Sequence, residues 1–209
     1  MIRVLGRQTS GNVQKVLFLL EELGLRYSRE DYGRQFNNTN TDAYRAMNPT
    51  MKVPTLVDGD IVTWESNTIL RYLSAVYGSQ LTGATPAERT QVERWMDWML
   101  AALNTPYLAM FKDAKKPAAE RAADFAAQSA DLVAQLKILD GHLAGRTFFA
   151  LDRLTLADIA LAPVVKRCLE FPIERPPMAE LERWVKAIAA RPAFAVATGA
   201  KPSTLASAA

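Results

Sequence analysis

Asp58-Gly59, set between the apolar runs Val53 to Val57 and Ile61 to Trp64, is the strongest turn signal in the chain and commits this stretch to an antiparallel hairpin. Pro54 lies at the entry of the first strand. It has no N–H for a ladder and belongs at a strand start or an edge, where a cis bond is also common. A cis Val53-Pro54 bond would turn the amide and carbonyl of Val53 out of the sheet, toward an extended peptide. The other elements of the first 80 residues must be built around this hairpin. Residues 2 to 5 alternate as a strand, and Val13, Val16, Leu17, Leu20 and Leu23 share a helical face that Gly24 stops. A second strand is expected near Arg26 to Tyr32, then a polar loop over Asn37 to Thr41 and a short helix ending at Asn48-Pro49. Ile69, Leu70, Leu73 and Val76 line a further helix ending at Gly78. The order β-α-β-α-β-β-α is that of a thioredoxin-like domain, without the redox Cys-x-x-Cys pair.

Strand signals cease after a linker near residues 78 to 86. Thr85-Pro86-Ala87-Glu88 reads as a capping box with proline at the first helical position, and Val92, Trp95, Met96, Met99, Leu100 and Leu103 carry the apolar face onward. A bend or stop is expected near Pro106. Phe125, Leu132, Leu136, Leu139 and Leu143 mark a second long helix expected to begin near Pro117. Thr155 and Asp158 form another capping box, with Leu154 and Ile159 as a hydrophobic staple. Leu181, Trp184, Val185 and Ile188 mark a late helix closed by Arg191-Pro192. The division expected is an α/β domain over 1–80 and an all-α domain over 87–209, with a poorly ordered tail from Thr198.

Composition removes several chemistries. The single cysteine, Cys168, excludes an internal disulfide, and the single histidine, His142, leaves no cluster for zinc and no Ser-His-Asp triad. The net charge of +3 comes from basic residues scattered among acidic ones, so no nucleic-acid stripe is expected. Apolar runs such as Val16 to Leu20 are far too short to span a membrane, and no apolar signal region precedes Ile2. A soluble cytoplasmic protein is the expectation.

The chemistry-bearing positions cluster around the hairpin. Glu65 and Ser66 stand where a strand gives way to a helix, so the Ser66 amide and hydroxyl can hold a carboxylate at the helix N-terminus while Glu65 accepts an ammonium. Both could also be no more than a helix start. Ser10 and Asn12 open the first helix, where such residues often act only as caps. The pieces Ser10-Gly11-Asn12-Val13-Gln14-Lys15-Val16, Asn48-Pro49 leading to Val53-Pro54, Glu65-Ser66, and Thr155-Leu156-Ala157-Asp158 occur in this order with the expected elements between them.

In this arrangement the chain resembles the cytosolic glutathione transferase family, and within it the serine-type, theta-like bacterial branch. The resemblance covers nearly the whole chain. It implies a thioredoxin-like glutathione-binding domain followed by an all-helical domain with an acceptor pocket, no metal, a C2 homodimer, and transfer of glutathione to an apolar electrophile or reduction of a peroxide. It implies that Ser10 aligns with the thiolate-stabilising hydroxyl, that Asn12 aligns with an asparagine used likewise in some relatives, and that Thr9 is a substitute donor. Lys52, Val53, Pro54, Glu65, Ser66 and Asn67 are the expected glutathione contacts. The glycine end of the ligand falls ambiguously on Asn37, Asn38, Thr39 or Lys52. Trp98, Met99, Met110 and Phe111 are candidates for an acceptor pocket or for core, and Asp97 for a group reaching across a dimer. Cys168 is expected to pack as a small hydrophobe. Isomerase, dehalogenase or disulfide-reductase chemistry on the same fold, or a non-catalytic interaction module, are the alternative readings.

Overall fold

The computed structural model describes residues 1–78 and 80–207. Two compact units divide the chain: Met1–Gln80 together with Ala189–Ala209, and Leu81–Ile188. The end of the chain therefore groups with the sheet and not, as expected, with the helices over 87–209.

In the first unit, β1 (Ile2–Leu5), α1 (Gly11–Glu22), β2 (Tyr27–Glu30), α2 (Asp42–Met47), β3 (Thr55–Asp58), β4 (Ile61–Trp64) and α3 (Ser66–Val76) follow in order, with a short 3-10 turn over Arg34–Phe36. β1 runs parallel to β2 and antiparallel to β3, and β3 pairs antiparallel with β4. This is the thioredoxin-like arrangement. Helix α1 ends at Leu23, and Gly24 follows at φ +65°, a conformation that glycine adopts without a Cβ penalty. On α3, Ile69, Leu70 and Leu73 are buried, whereas Val76, read from periodicity as part of the same face, is 53% exposed in the last turn.

The tail departs from expectation. After α9 (Pro192–Ala197), which packs on α1 with Phe194 edge-on to Phe18, a two-residue strand β5 (Ala206–Ser207) pairs parallel with β2. The sheet order is β4-β3-β1-β2-β5. Arg191 and Glu22 tie the start of this return, and Gln8 Nε2 donates to the Val196 carbonyl at 2.9 Å.

The second unit is helical: α4 (Pro86–Trp98), α5 (Asn104–Asp113), α6 (Phe125–His142), α7 (Leu156–Glu170) and most of α8 (Ala179–Ala189). Thr85 Oγ1 accepts from the Glu88 amide, but Glu88 bonds the Ala84 amide, so only half of the expected box forms. A π-helical turn over Met99–Leu103 joins α4 to α5. Pro106 offers no N–H to the carbonyl four residues back, and the wider turn lets the helix run on where a stop was possible. Helix α6 starts at Phe125 and not near Pro117, because Arg121 is extended and the intervening loop is tied back: Asp113 accepts from Lys116 and the Ala122 amide, and Arg121 donates to the Ala114 and Lys116 carbonyls. The core holds Val92, Met96, Leu132, Leu136, Leu139, Leu161 and Trp184. Among the described residues, no helix is long and apolar enough to cross a membrane.

Candidate functional site

Strand register brings the singled-out residues to one margin of the sheet. Leu5 pairs with Thr55, and Thr55 with Trp64, so the end of β1, the start of β3 and the end of β4 lie side by side. From that margin leave the loop into α1, the Val53-Pro54 segment and the Glu65 turn into α3. Gly6 makes the approach possible. A Cβ there would stand 2.5 Å from Val13 Cγ2 and 3.3 Å from the Cβ of Val53.

Ser10 is the N-cap residue of α1 by backbone position, at φ −80° and ψ 125°, yet its hydroxyl makes no cap bond. Its carbonyl accepts from Gln14 and its amide donates to Arg7. The hydroxyl is therefore not consumed in the role that most often explains serine at a helix start, although the residue is only 7% exposed. Asn12 and Thr9 are both exposed, Asn12 on the first turn of α1 and Thr9 in the loop before it.

Val53-Pro54 is cis and precedes the ladder, with Val53 half-buried and Pro54 buried. The segment is braced from behind by two buried side chains. Tyr44 Oη donates to the Lys52 carbonyl at 2.7 Å, and Asn48 Nδ2 donates to the same carbonyl at 2.8 Å and to Thr55 Oγ1 at 3.0 Å. Asn48 Oδ1 in turn accepts from the amide and hydroxyl of Thr50. Asn48-Pro49, legible in the sequence only as a helix end, thus carries a bracket that local spacing does not reveal. The Lys52 side chain is exposed. Asn38 is committed to the loop, accepting from the Gly33 amide and donating to the Asp31 carbonyl, while Asn37 is exposed in left-handed backbone at φ 46°. Thr39 is half-buried.

Glu65 has φ 67° and ψ 113°, a region that a residue with a Cβ rarely occupies. Such backbone costs on the order of 1–3 kcal/mol and is kept where surrounding structure over-determines it, often at ligand sites. Its side chain is exposed, whereas Ser66 and Asn67 behind it are buried in the first turn of α3. The helix N-terminus favours an anion at this point. Beneath it lies a residue assigned no role from sequence: Lys15 is fully buried, with Nζ 3.5 Å from Ser66 Oγ. Burial pulls its pKa down from 10.5 to about 7, and Glu65 acts in the opposite direction. Periodicity hid it, since α1 is buried continuously from Val13 to Leu20 and no polar face marks Lys15 out.

In the helical unit the four acceptor candidates separate. Met99 and Met110 are core, Trp98 is half-buried against Trp95, and half-buried Phe111 packs near Tyr107 with the Arg167 guanidinium over its ring. Asp97 is exposed on α4. Cys168 is buried, and desolvation pushes its thiol well above the ordinary range. His142 contacts the Phe149 carbonyl through Nε2 and packs on Trp95. Asp158 accepts from the Phe149 and Thr155 amides, the Thr155 hydroxyl and Trp184 Nε1; burial pushes its carboxyl up to about 6 against these bonds. Among the described residues no group of three or more metal-ligating side chains occurs.

Comparison with known proteins finds matches to both halves of the chain. The family profile for the glutathione S-transferase N-terminal domain matches residues 9–76, and that for the glutathione S-transferase C-terminal domain matches 95–192. Glutathione S-transferase GstB of Escherichia coli strain K12 is 37% identical over 200 residues, covering 92% of this chain and 95% of that protein. Glutathione S-transferase 3 of Zea mays is 30% identical over 216 residues, covering 96% and 95%. A crystal structure of the theta class glutathione S-transferase from Xanthomonas axonopodis pv. citri, with glutathione bound, superposes with a TM-score of 0.89 at 37% identity, covering 97% of this chain and 99% of that one. With both halves matched and a relative of this identity aligned along almost its whole length, the chain belongs to the glutathione S-transferase family.

Proposed function

We propose that the margin formed by Ser10, Val53-Pro54 and Glu65-Ser66 binds glutathione and stabilises its thiolate for attack on an apolar electrophile or for reduction of a peroxide. The γ-glutamyl head is read by the Glu65 carboxylate, on its ammonium, and by the amide and hydroxyl of Ser66, on its carboxylate. Asn67 supports that turn. The backbone of Val53 pairs with the cysteinyl unit, and exposed Lys52 is available to the glycine carboxylate.

A free thiol with a pKa near 8.5 is only about 3% ionised at pH 7. A hydroxyl donor aimed at the sulfur is worth roughly 1.5–3 kcal/mol to the anion, or about 1–2 pKa units, which raises the ionised fraction toward half. The observation that carries this reading is the Ser10 hydroxyl, positioned at the start of α1 and not used as its cap. Ser10 acts as a donor and not a nucleophile, since His142, the one histidine in the sequence, is engaged elsewhere. Asn12 or Thr9 takes the role if Ser10 does not.

The proposal extends to a homodimer in the cytoplasm. Supporting the dimer, the edge strand β4 exposes Ile61 and Val62, and Val76 and Tyr77 are exposed at the end of α3. Sedimentation analysis of the purified protein tests it, and a monomer at micromolar concentration would remove it.

The function is tested by titrating the protein with glutathione in a calorimeter while following thiolate absorbance across pH. Saturable binding with a depressed thiol pKa is expected. Binding without thiolate would favour a different glutathione-dependent reaction at the same pocket, and no binding would favour an interaction module.

A further inference from the structure

A lysine ammonium is seldom placed fully inside a protein, because desolvating the charge is costly unless something offsets it. Lys15 is in that position, its Nζ 3.5 Å from Ser66 Oγ and its whole side chain buried beneath the turn from β4 into α3. We propose that Lys15 is a positioning residue for the γ-glutamyl carboxylate, acting through Ser66 and setting which way the Ser66 hydroxyl donates; this rests on the glutathione reading of the site.

The protonation state of the amine decides which way the Ser66 hydroxyl points. A charged ammonium has three N–H donors and no acceptor, so Ser66 Oγ must accept from it, and the Ser66 proton is left to donate outward. A neutral amine has a lone pair and can accept that proton, turning the hydroxyl inward and leaving its oxygen toward the ligand. An oxygen lone pair repels a carboxylate. The outward-donating state is therefore the binding-competent one, and it requires one proton on Lys15.

The charged surroundings leave that proton sensitive to the ligand. Burial, opposed in part by Glu65 on the adjoining turn, brings Lys15 to about 7, and Glu65 is the charged neighbour that favours the ammonium. On α1, Glu21 is bonded to Tyr27 and Ser203, and Glu22 to Arg191. Helix α9, packed on α1, carries no ionisable residue from Pro192 to Ala197. On α3, Arg71 and Tyr72 lie further along, Tyr72 bonded to Asp58; on the sheet, Arg3 pairs with Glu30 and Arg29 with Asp31. A carboxylate arriving at Ser66 adds a second anion close to Lys15 and raises its proton affinity. Binding above pH 7 then takes up a proton, and affinity falls by up to about tenfold per pH unit while the free and bound forms differ in protonation.

The test uses S-methylglutathione, whose blocked sulfur removes thiol ionisation from the balance. Calorimetric titrations between pH 6 and 8, each in two buffers of different ionisation enthalpy, count protons taken up per ligand bound. The ligand's own amine is removed by comparison with Lys15→Met and with Lys15→Arg, neither of which titrates in this range. At pH 8 the wild type should take up most of one proton more than either variant, with little difference at pH 6. Lys15→Met should bind more weakly at pH 6, and Lys15→Arg should retain binding without the added pH dependence. Equal uptake in wild type and in whichever variant folds would overturn the proposal. Failure of the parent reading looks different: the wild type would not bind at all, or Ser66→Ala would bind as tightly as wild type.

Discussion

Arg191 grips Glu22 at two points, Nε on Oε1 at 2.6 Å and Nη2 on Oε2 at 2.7 Å, across a sequence separation of 169 residues. Two parallel charge-assisted bonds on a half-buried pair are worth more than an exposed single contact. Arg191→Ala is expected to lower unfolding stability by about 1 kcal/mol, and a double-mutant cycle with Glu22→Gln should recover most of that as coupling energy. Urea midpoints for the four proteins would measure it; strictly additive losses would show that the pair does not hold the C-terminal return.

Asp158 gathers three buried N–H donors, from Phe149, Thr155 and Trp184, as well as the Thr155 hydroxyl. Removing the carboxylate leaves those donors unpaired at roughly 1–3 kcal/mol each. Asp158→Ala should therefore cost at least about 3 kcal/mol or prevent folding, with Asp158→Asn intermediate because one acceptor survives. Denaturant unfolding followed by tryptophan fluorescence reports it, since Trp184 is a partner. A loss under 1 kcal/mol would contradict the network.

Ser10→Ala separates chemistry from folding, because the hydroxyl is not a cap. Thermal stability should change by less than about 0.5 kcal/mol, whereas loss of a true serine cap costs about 1 kcal/mol. The thiol pKa of bound glutathione should rise by about 1–2 units with little change in its dissociation constant. An unchanged thiolate absorbance would move the donor to Asn12 or Thr9.

Lys15 also leaves a signature in the absence of ligand. Its folded pKa of about 7 lies below its ordinary 10.5, so between those values the unfolded chain holds the extra proton. Stability contributed by this group then rises with pH from about 7 to 10, by about 1.4 kcal/mol per unit at the steepest. The rise should be absent from Lys15→Met, and the difference between the two stability profiles across pH is the measurement. Parallel profiles would mean that Lys15 keeps its ordinary proton affinity in the folded protein.

Sequence reading succeeded where one residue type answers to one local geometry. Asp58-Gly59 marks its hairpin to within one residue, Asp58 pairing with Ile61 and Gly59-Asp60 forming the turn; Gly24 marks its helix end and Asp158 its cap, because each is decided within a few residues. It failed where the deciding partner is distant. Lys15 looks like any lysine on a helix until α3 closes over it, and Ala206–Ser207 have no strand character apart from the open edge of β2. The start of α6 depended on Asp113 and Arg121 holding the loop, which Pro117 did not announce. At the site, the positions of Ser10, Val53-Pro54 and Glu65-Ser66 along the chain were legible from turn and cap chemistry. The bracket of Tyr44 and Asn48 behind them was not, since it runs between α2, its following loop and the start of β3.

The fifth strand makes the two borders of the sheet unlike each other. On the β2 side the chain's own return occupies the margin at Tyr27 and Ser28, so an incoming chain finds that lane taken; on the β4 side the border is open. A body with two open borders could add copies without end, each offering a fresh border to the next. Here the β2 border is narrowed, since β5 covers Tyr27 and Ser28 with two residues and offers an equally short edge in its place, whereas β4 presents four, so lateral addition of strands is favoured on the β4 side.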